Sequence, residues 1–140
     1  EARYTAFAYH GADVSPAMIT VAQQRYAGHA HATFEVGSVP ALVADYGVAS
    51  GIFNVRQDRT DREWLEYIEA TLDVLDRTSR RGFAFNCLTA YSDPERMRPY
   101  LYYADPCLLF DRCKRRYSRQ VALLHDYGLF EFTILVRRES

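Results

Sequence analysis

The sequence predicts an α/β domain built on a largely parallel sheet with an antiparallel edge. Three observations lead there. Strand-like and helix-like segments alternate along most of the chain. Residues 83–88 (FAFNCL) are almost wholly apolar, which suits a strand buried on both faces of a sheet. The last two strand-like segments are joined across Asp126-Tyr127-Gly128, a connection short enough to demand antiparallel pairing.

Each element has a local reason. Residues 4–13 begin with small, aromatic and apolar types and read as a strand. Ser15 then offers an N-cap and Pro16 a first helical position. Met18, Ile19, Ala22 and Tyr26 follow at helical spacing, so 16–27 reads as a helix that Gly28 ends. Residues 32–36 (ATFEV) form a second strand closed by Gly37, and 45–50 (DYGVAS) a third running into Gly51. Thr60 and Glu63 make a capping-box pattern. Trp64, Leu65, Ile68, Leu72 and Leu75 continue it as an amphipathic helix, with Arg80–Gly82 marking its end. After the strand at 83–88, Asp93-Pro94 and Asp105-Pro106 each pair an N-cap with a helix-starting proline. The second should open a helix near 106–116 with Leu109 and Cys113 inward. Residues 120–125 and 130–137 close the chain as a hairpin.

The 140 residues amount to a single domain, 1–140. At 49% hydrophobic and 25% charged residues, disorder is excluded on composition. A net charge of −1 argues against a dedicated nucleic-acid binder. No apolar run approaches the ~20 residues that span a bilayer. The opening residues lack the basic and apolar pattern of a secretory leader, so a cytoplasmic, non-membrane protein is expected. The chain begins at Glu1 rather than Met, which is expected of a processed chain or of part of a longer one.

Cys87, Cys107 and Cys113 form no CxxC pair, so they are expected as small apolar core residues, not as a disulfide framework or metal site. His29 and His31 lie on a polar turn with no third ligand in view and are expected to be solvated. No metal is expected. The run Arg112, Lys114, Arg115, Arg116 and Arg119 reads as a solvated helix face partly offset by Asp105 and Asp111. Tyr91, Tyr100, Tyr102 and Tyr103 fall in the irregular segment, where they either line a pocket or pack under a helix.

The most informative stretch is Gly11-Ala12-Asp13-Val14-Ser15-Pro16-Ala17-Met18-Ile19. An acidic residue at the carboxyl end of a parallel strand faces the crevice where α/β sheets bind ligands, and it can accept both hydroxyls of a ribose. This stretch resembles the motif after the second strand of class I S-adenosylmethionine-dependent methyltransferases, G-[VI]-D-[IL]-S-P-x-M. The likeness continues. Val36-Gly37-Ser38-Val39 sits where that family closes its third strand, and Asp45–Asn54 resembles the fourth-strand motif beside the methyl-transfer site. The later helix, strand and hairpin follow in the family's order.

The resemblance implies a Rossmann-like methyltransferase sheet with S-adenosylmethionine as cofactor. Asp13 would hold the ribose hydroxyls, and Val14 and Met18 would sandwich the adenine. Gly37 and Ser38 would approach the adenine's polar edge. Ser50, Gly51 and Phe53 would flank the sulfonium end. Asn54, Asn86, Tyr91 and His125 are candidates for contact with an acceptor whose identity stays open. No catalytic acid or base is singled out, because proximity to an activated sulfonium supplies much of the rate.

One departure stands out. The family's first strand carries D/E-x-G-x-G-x-G, and none of this chain's seven glycines are separated by a single residue. In the family's strand order, 3-2-1-4-5-7-6, the first strand is central. The N-terminal strand-helix unit is therefore expected to be missing from this chain, leaving it doubtful as a cofactor binder by itself. An alternative class follows: a non-catalytic, methyltransferase-derived module acting through partner binding or as a homo-oligomer paired at open strand edges. A nicotinamide-dependent dehydrogenase would also place an acid after its second strand; the closing hairpin and Ser-Pro-x-Met favour the methyltransferase.

Overall fold

The structure is a computed structural model and describes residues 9–13, 24, 32–36 and 43–138. The chain packs as two compact units, Glu1–Val43 and Ala44–Ser140.

In the first unit β1 (Tyr9–Asp13) and β2 (Ala32–Val36) pair in parallel, in register from Tyr9 opposite Ala32 to Asp13 opposite Val36. Parallel neighbours need a crossover between them. Of the predicted helix 16–27 only Gln24 is described, and it is helical. The rest of that helix, residues 4–8 of the first predicted strand and the His29/His31 turn lie outside the described residues.

The second unit holds a five-stranded sheet in the order β3-β4-β7-β6, with β5 beside β4. Its elements are β3 (Ala44–Ala49), α1 (Asp61–Thr78), β4 (Ser79–Thr89), β5 (Tyr103–Ala104), α2 (Pro106–Arg116), β6 (Gln120–Leu124) and β7 (Glu131–Arg137). β3 and β5 run parallel to β4, whereas β7 is antiparallel to both β4 and β6. The hairpin is thus antiparallel, as the short connection required, and the α/β class with a mixed sheet holds.

α1 starts as the sequence dictates. Thr60 Oγ1 accepts the Glu63 amide, and Glu63 returns the bond to the Thr60 amide at 2.9 Å. Its Trp64, Ile68, Leu72 and Leu75 stripe is buried. Arg80–Gly82, however, do not end the helix. It stops at Thr78, and Ser79–Gly82 already belong to β4. The glycine serves the sheet: a Cβ on Gly82 would stand 2.3 Å from the Val136 carbonyl of the neighbouring strand. α2 opens at Pro106 with Asp105 Oδ1 accepting the Cys107 amide, and it turns Leu109 and Cys113 fully inward. Asp93-Pro94 yields only a 3-10 turn, Pro94–Arg96, with no side-chain cap.

The core lies on one face of the sheet, beneath both helices. Phe83, Phe85 and Cys87 of β4 and Phe132, Ile134 and Val136 of β7 meet Ile68, Leu72, Leu109 and Cys113 there. The expectation that 83–88 is buried on both faces is corrected. The alternate residues Ala84, Asn86 and Leu88 are only half-buried, because α1 and α2 both pack on the other side. Among the described residues no helix is long and apolar enough to cross a membrane.

One further detail positions the site. β3 follows β4 only as far as Ala49 opposite Phe85, and β5 takes up the same side of β4 at Leu88 opposite Tyr103. The sheet therefore splits beside Asn86 at its carboxyl edge, the side where parallel α/β sheets bind ligands.

Candidate active site

Ser50 and Gly51 form the turn that leaves β3 at this split. Gly51 has φ +74°, a conformation L-residues avoid, so the backbone geometry explains the glycine. Its amide donates to Asn86 Oδ1 at 2.8 Å. That bond fixes which way the Asn86 amide points. Nδ2 is left to donate, through longer hydrogen bonds, to Ser50 Oγ at 3.3 Å and to Glu131 Oε2 at 3.4 Å. Asn86 thus ties the β3 turn to the first residue of β7.

A second group stands at the end of β4. Thr89 is buried, and its Oγ1 accepts the Tyr91 amide at 3.2 Å. The same hydroxyl shares a hydrogen bond with His125 Nε2, 2.7 Å away. His125 is itself exposed and meets Tyr91 edge-on, ring centroids 5.8 Å apart. Tyr91, 70% exposed, offers its ring to anything bound at this edge.

Each remaining expected site residue has its own setting. Phe53 is fully buried, packed edge-on against Tyr67 and Phe85, and its carbonyl accepts Trp64 Nε1 at 2.8 Å. Its side chain anchors the turn to the core and presents no surface at the sheet edge. The Asn54 carbonyl accepts the Tyr102 amide, while Asn54 Oδ1 is buried with no hydrogen-bond partner among the described residues. Asp13 ends β1, at the carboxyl edge of the two-stranded sheet in the first unit. Val14, Met18, Gly37 and Ser38 lie outside the described residues.

The sequence alone pointed to neither Glu131 nor Thr89. Glu131 meets the site through β4–β7 pairing, with Leu88 opposite Glu131 and Asn86 opposite Thr133. The one available signal was the register of the hairpin against the central strand. Among the described residues Glu131 enters no ion pair. The groups bonded around the Ser50–Gly51 turn are a hydroxyl, an amide and a carboxylate, with no basic side chain. Such a set fits a cationic ligand group.

The remaining sequence features sort as follows. Burial pushes the Cys87 thiol up to about 12, with Cys113 adding to it, so it stays protonated and inert. Burial does the same to Cys113, against a smaller pull from Arg112. Cys107 departs from the core expectation and is exposed on the first turn of α2. The basic run is only partly a solvated face. Arg112 bridges Glu69 and Asp73 of α1, and Arg116 also binds Asp73. Asp111 pairs with Arg115, but Asp105 caps the helix instead of offsetting charge. The tyrosines divide: Tyr91 and Tyr100 are exposed, Tyr102 joins the core, and Tyr103 accepts the Arg98 amide.

No family model matches the chain. A protein of Mycobacterium tuberculosis (strain ATCC 25618 / H37Rv) named "Putative methyltransferase Rv1506c" is 63% identical over 132 residues, covering 94% of this chain and 80% of that protein. Two solved structures share the fold at 11% identity. Both are of magnesium protoporphyrin IX methyltransferase from Synechocystis PCC 6803. The form with bound SAH gives a TM-score of 0.69 over 94% of this chain. The form with bound SAM gives 0.64 over the same share. The chain spans 64% and 60% of the length of those two solved chains.

Proposed function

The chain belongs to the class I S-adenosylmethionine-dependent methyltransferase family, and from that premise we propose that it moves a methyl group from S-adenosylmethionine to an acceptor at the carboxyl edge of the five-stranded sheet. The carrying observation is the split of the sheet beside Asn86, where the Ser50–Gly51 turn is pinned by the 2.8 Å bond to Asn86. The strand order β3-β4-β7-β6 with β7 antiparallel corresponds to the 4-5-7-6 half of the family's sheet. The parallel β1–β2 pair corresponds to its 3-2 half.

S-adenosylmethionine supplies an electrophilic methyl group on a sulfonium. Within this chain, Asp13 would hold the ribose hydroxyls, Val14 and Met18 the adenine faces, and Gly37 and Ser38 its polar edge. Ser50 and Gly51 would border the sulfonium, in polar surroundings without a basic group. Phe53 contributes by anchoring their turn. Tyr91 offers an aromatic face to the acceptor, and His125 an exposed imidazole beside it. Asn86 orients the turn instead of touching substrate, since its amide groups are already engaged. Orientation of donor and acceptor is the main work such a site performs.

The family's glycine loop has no counterpart in residues 1–140. On this reading the strand-helix unit that cradles the amino-acid end of the cofactor is missing from them. β3 has no strand on its second edge among the described residues, which supports self-association as a companion expectation. Isothermal titration of the full-length protein with S-adenosylhomocysteine tests the proposal. Saturable binding is expected; none at millimolar ligand would sink it.

A further inference from the structure

The carboxylate of Glu131 has no role in the roster the family resemblance supplies. It is half-buried at the start of β7, in no ion pair among the described residues, and 3.4 Å from Asn86 Nδ2. Through Asn86 it is joined to both Ser50 and Gly51. A half-buried charge beside a ligand site is screened less than an exposed one. The same carboxylate acts on one other neighbour: burial raises the Tyr127 phenol, the Thr133 hydrogen bond opposes it, and the Glu131 and Asp126 charges add smaller upward pushes.

We propose that Glu131 sets a negative potential over the Ser50–Gly51 turn and so makes the site favour the positively charged methyl donor over its neutral demethylated product. The inference rests on the reading that this turn borders the sulfonium. Donor and product differ there by one methyl group and one unit of charge. Most of their contacts are shared, so a fixed carboxylate is an economical way to tell them apart. Uniform contacts would hold both equally and leave the product bound. Asn86 is the positioning residue in this arrangement, since its amide keeps the carboxylate and the turn together.

Titration of the full-length protein with S-adenosylmethionine and with S-adenosylhomocysteine, in wild type and Glu131→Gln, tests the proposal. Removing the Glu131 charge should weaken the donor about five- to tenfold and leave the product within about twofold. Glu131→Asp keeps the charge and should keep most of the preference. Equal changes for both ligands, or none, would overturn the proposal and leave the methyltransferase reading standing. Wild-type protein that binds neither ligand at millimolar concentration would overturn both. A second readout needs no variant: the wild-type ratio of the two affinities should fall as salt rises from about 20 to 500 mM. A flat ratio would also count against Glu131.

Discussion

One strand faces two different worlds. Phe83, Phe85, Cys87 and Thr89 of β4 point into the helix-covered core, while Ala84, Asn86 and Leu88 between them point to the half-open face. The first set is apolar and close-packed, apart from Thr89, whose hydroxyl is satisfied by Tyr91 and His125. The second holds the residue that pins the candidate site. Side chains two apart share a face and those one apart do not. A single run of apolar letters therefore carries a stability message and a functional one in alternate positions. Asn86 is the sole residue in Phe83–Leu88 with a polar amide, and it lies beside the gap between β3 and β5.

The sharpest break of that contrast is on the core face. Phe85→Ala removes a fully buried ring that meets both Phe53 and Phe83. It should cost about 3–5 kcal/mol in urea denaturation. Because Phe53 anchors the Ser50–Gly51 turn, the same change should also loosen the turn. A loss under about 1 kcal/mol would mean that the core is not where the burial pattern puts it. Gly82→Ala should follow, at about 1–3 kcal/mol, since its new methyl meets the Val136 carbonyl, backbone that cannot rotate away.

What was legible in the sequence follows the range of the forces involved. The α1 capping box, the Asp105-Pro106 start and the antiparallel hairpin each rest on residues a few positions apart, and each was readable. The two-residue strand β5 was not, because it exists only through its pairing with Leu88 and Thr89. The end of α1 was misplaced because Gly82 answers to β7, not to the helix before it. Asn86 stood out as a polar residue in an apolar strand, while its partner Glu131, 45 positions away, depends on register. Phe53 was given a place at the ligand because its motif suggests one, whereas its burial is decided by Tyr67 and Phe85.

An intermediate effect is expected where α1 and α2 meet. Asp73 binds Arg112 and Arg116, and it accepts the Tyr117 hydroxyl at 2.5 Å. Burial raises the Asp73 carboxyl, but the Tyr117 hydrogen bond and the Arg116 and Arg112 charges outweigh it and hold it below its ordinary value. A lowered folded value means stability present above the unfolded value near 3.8 and lost as pH falls through the folded one. Asp73→Asn should therefore cost about 1–2 kcal/mol at pH 7, the low end for bonds to a charged group that solvent still reaches. Wild type and variant should converge toward pH 2. An undiminished gap at pH 2 would point to packing instead of charge.

The smallest effect on stability belongs to the site face, and there the comparison is tested most directly. Asn86→Ala deletes three hydrogen bonds, two of them long, from a half-buried position. The unfolding free energy should change by about 1 kcal/mol or less. Binding should respond more strongly. Gly51 would lose the acceptor that holds its amide, and Glu131 would lose its link to the turn. S-adenosylmethionine should bind about tenfold more weakly to the full-length variant, an effect of ~1.4 kcal/mol. Phe85→Ala should instead show a loss of stability several times larger. If Asn86→Ala destabilises the fold as much as Phe85→Ala does, the two faces of β4 do not divide their work as proposed. If it alters neither stability nor binding, the split beside Asn86 is not the cofactor's place.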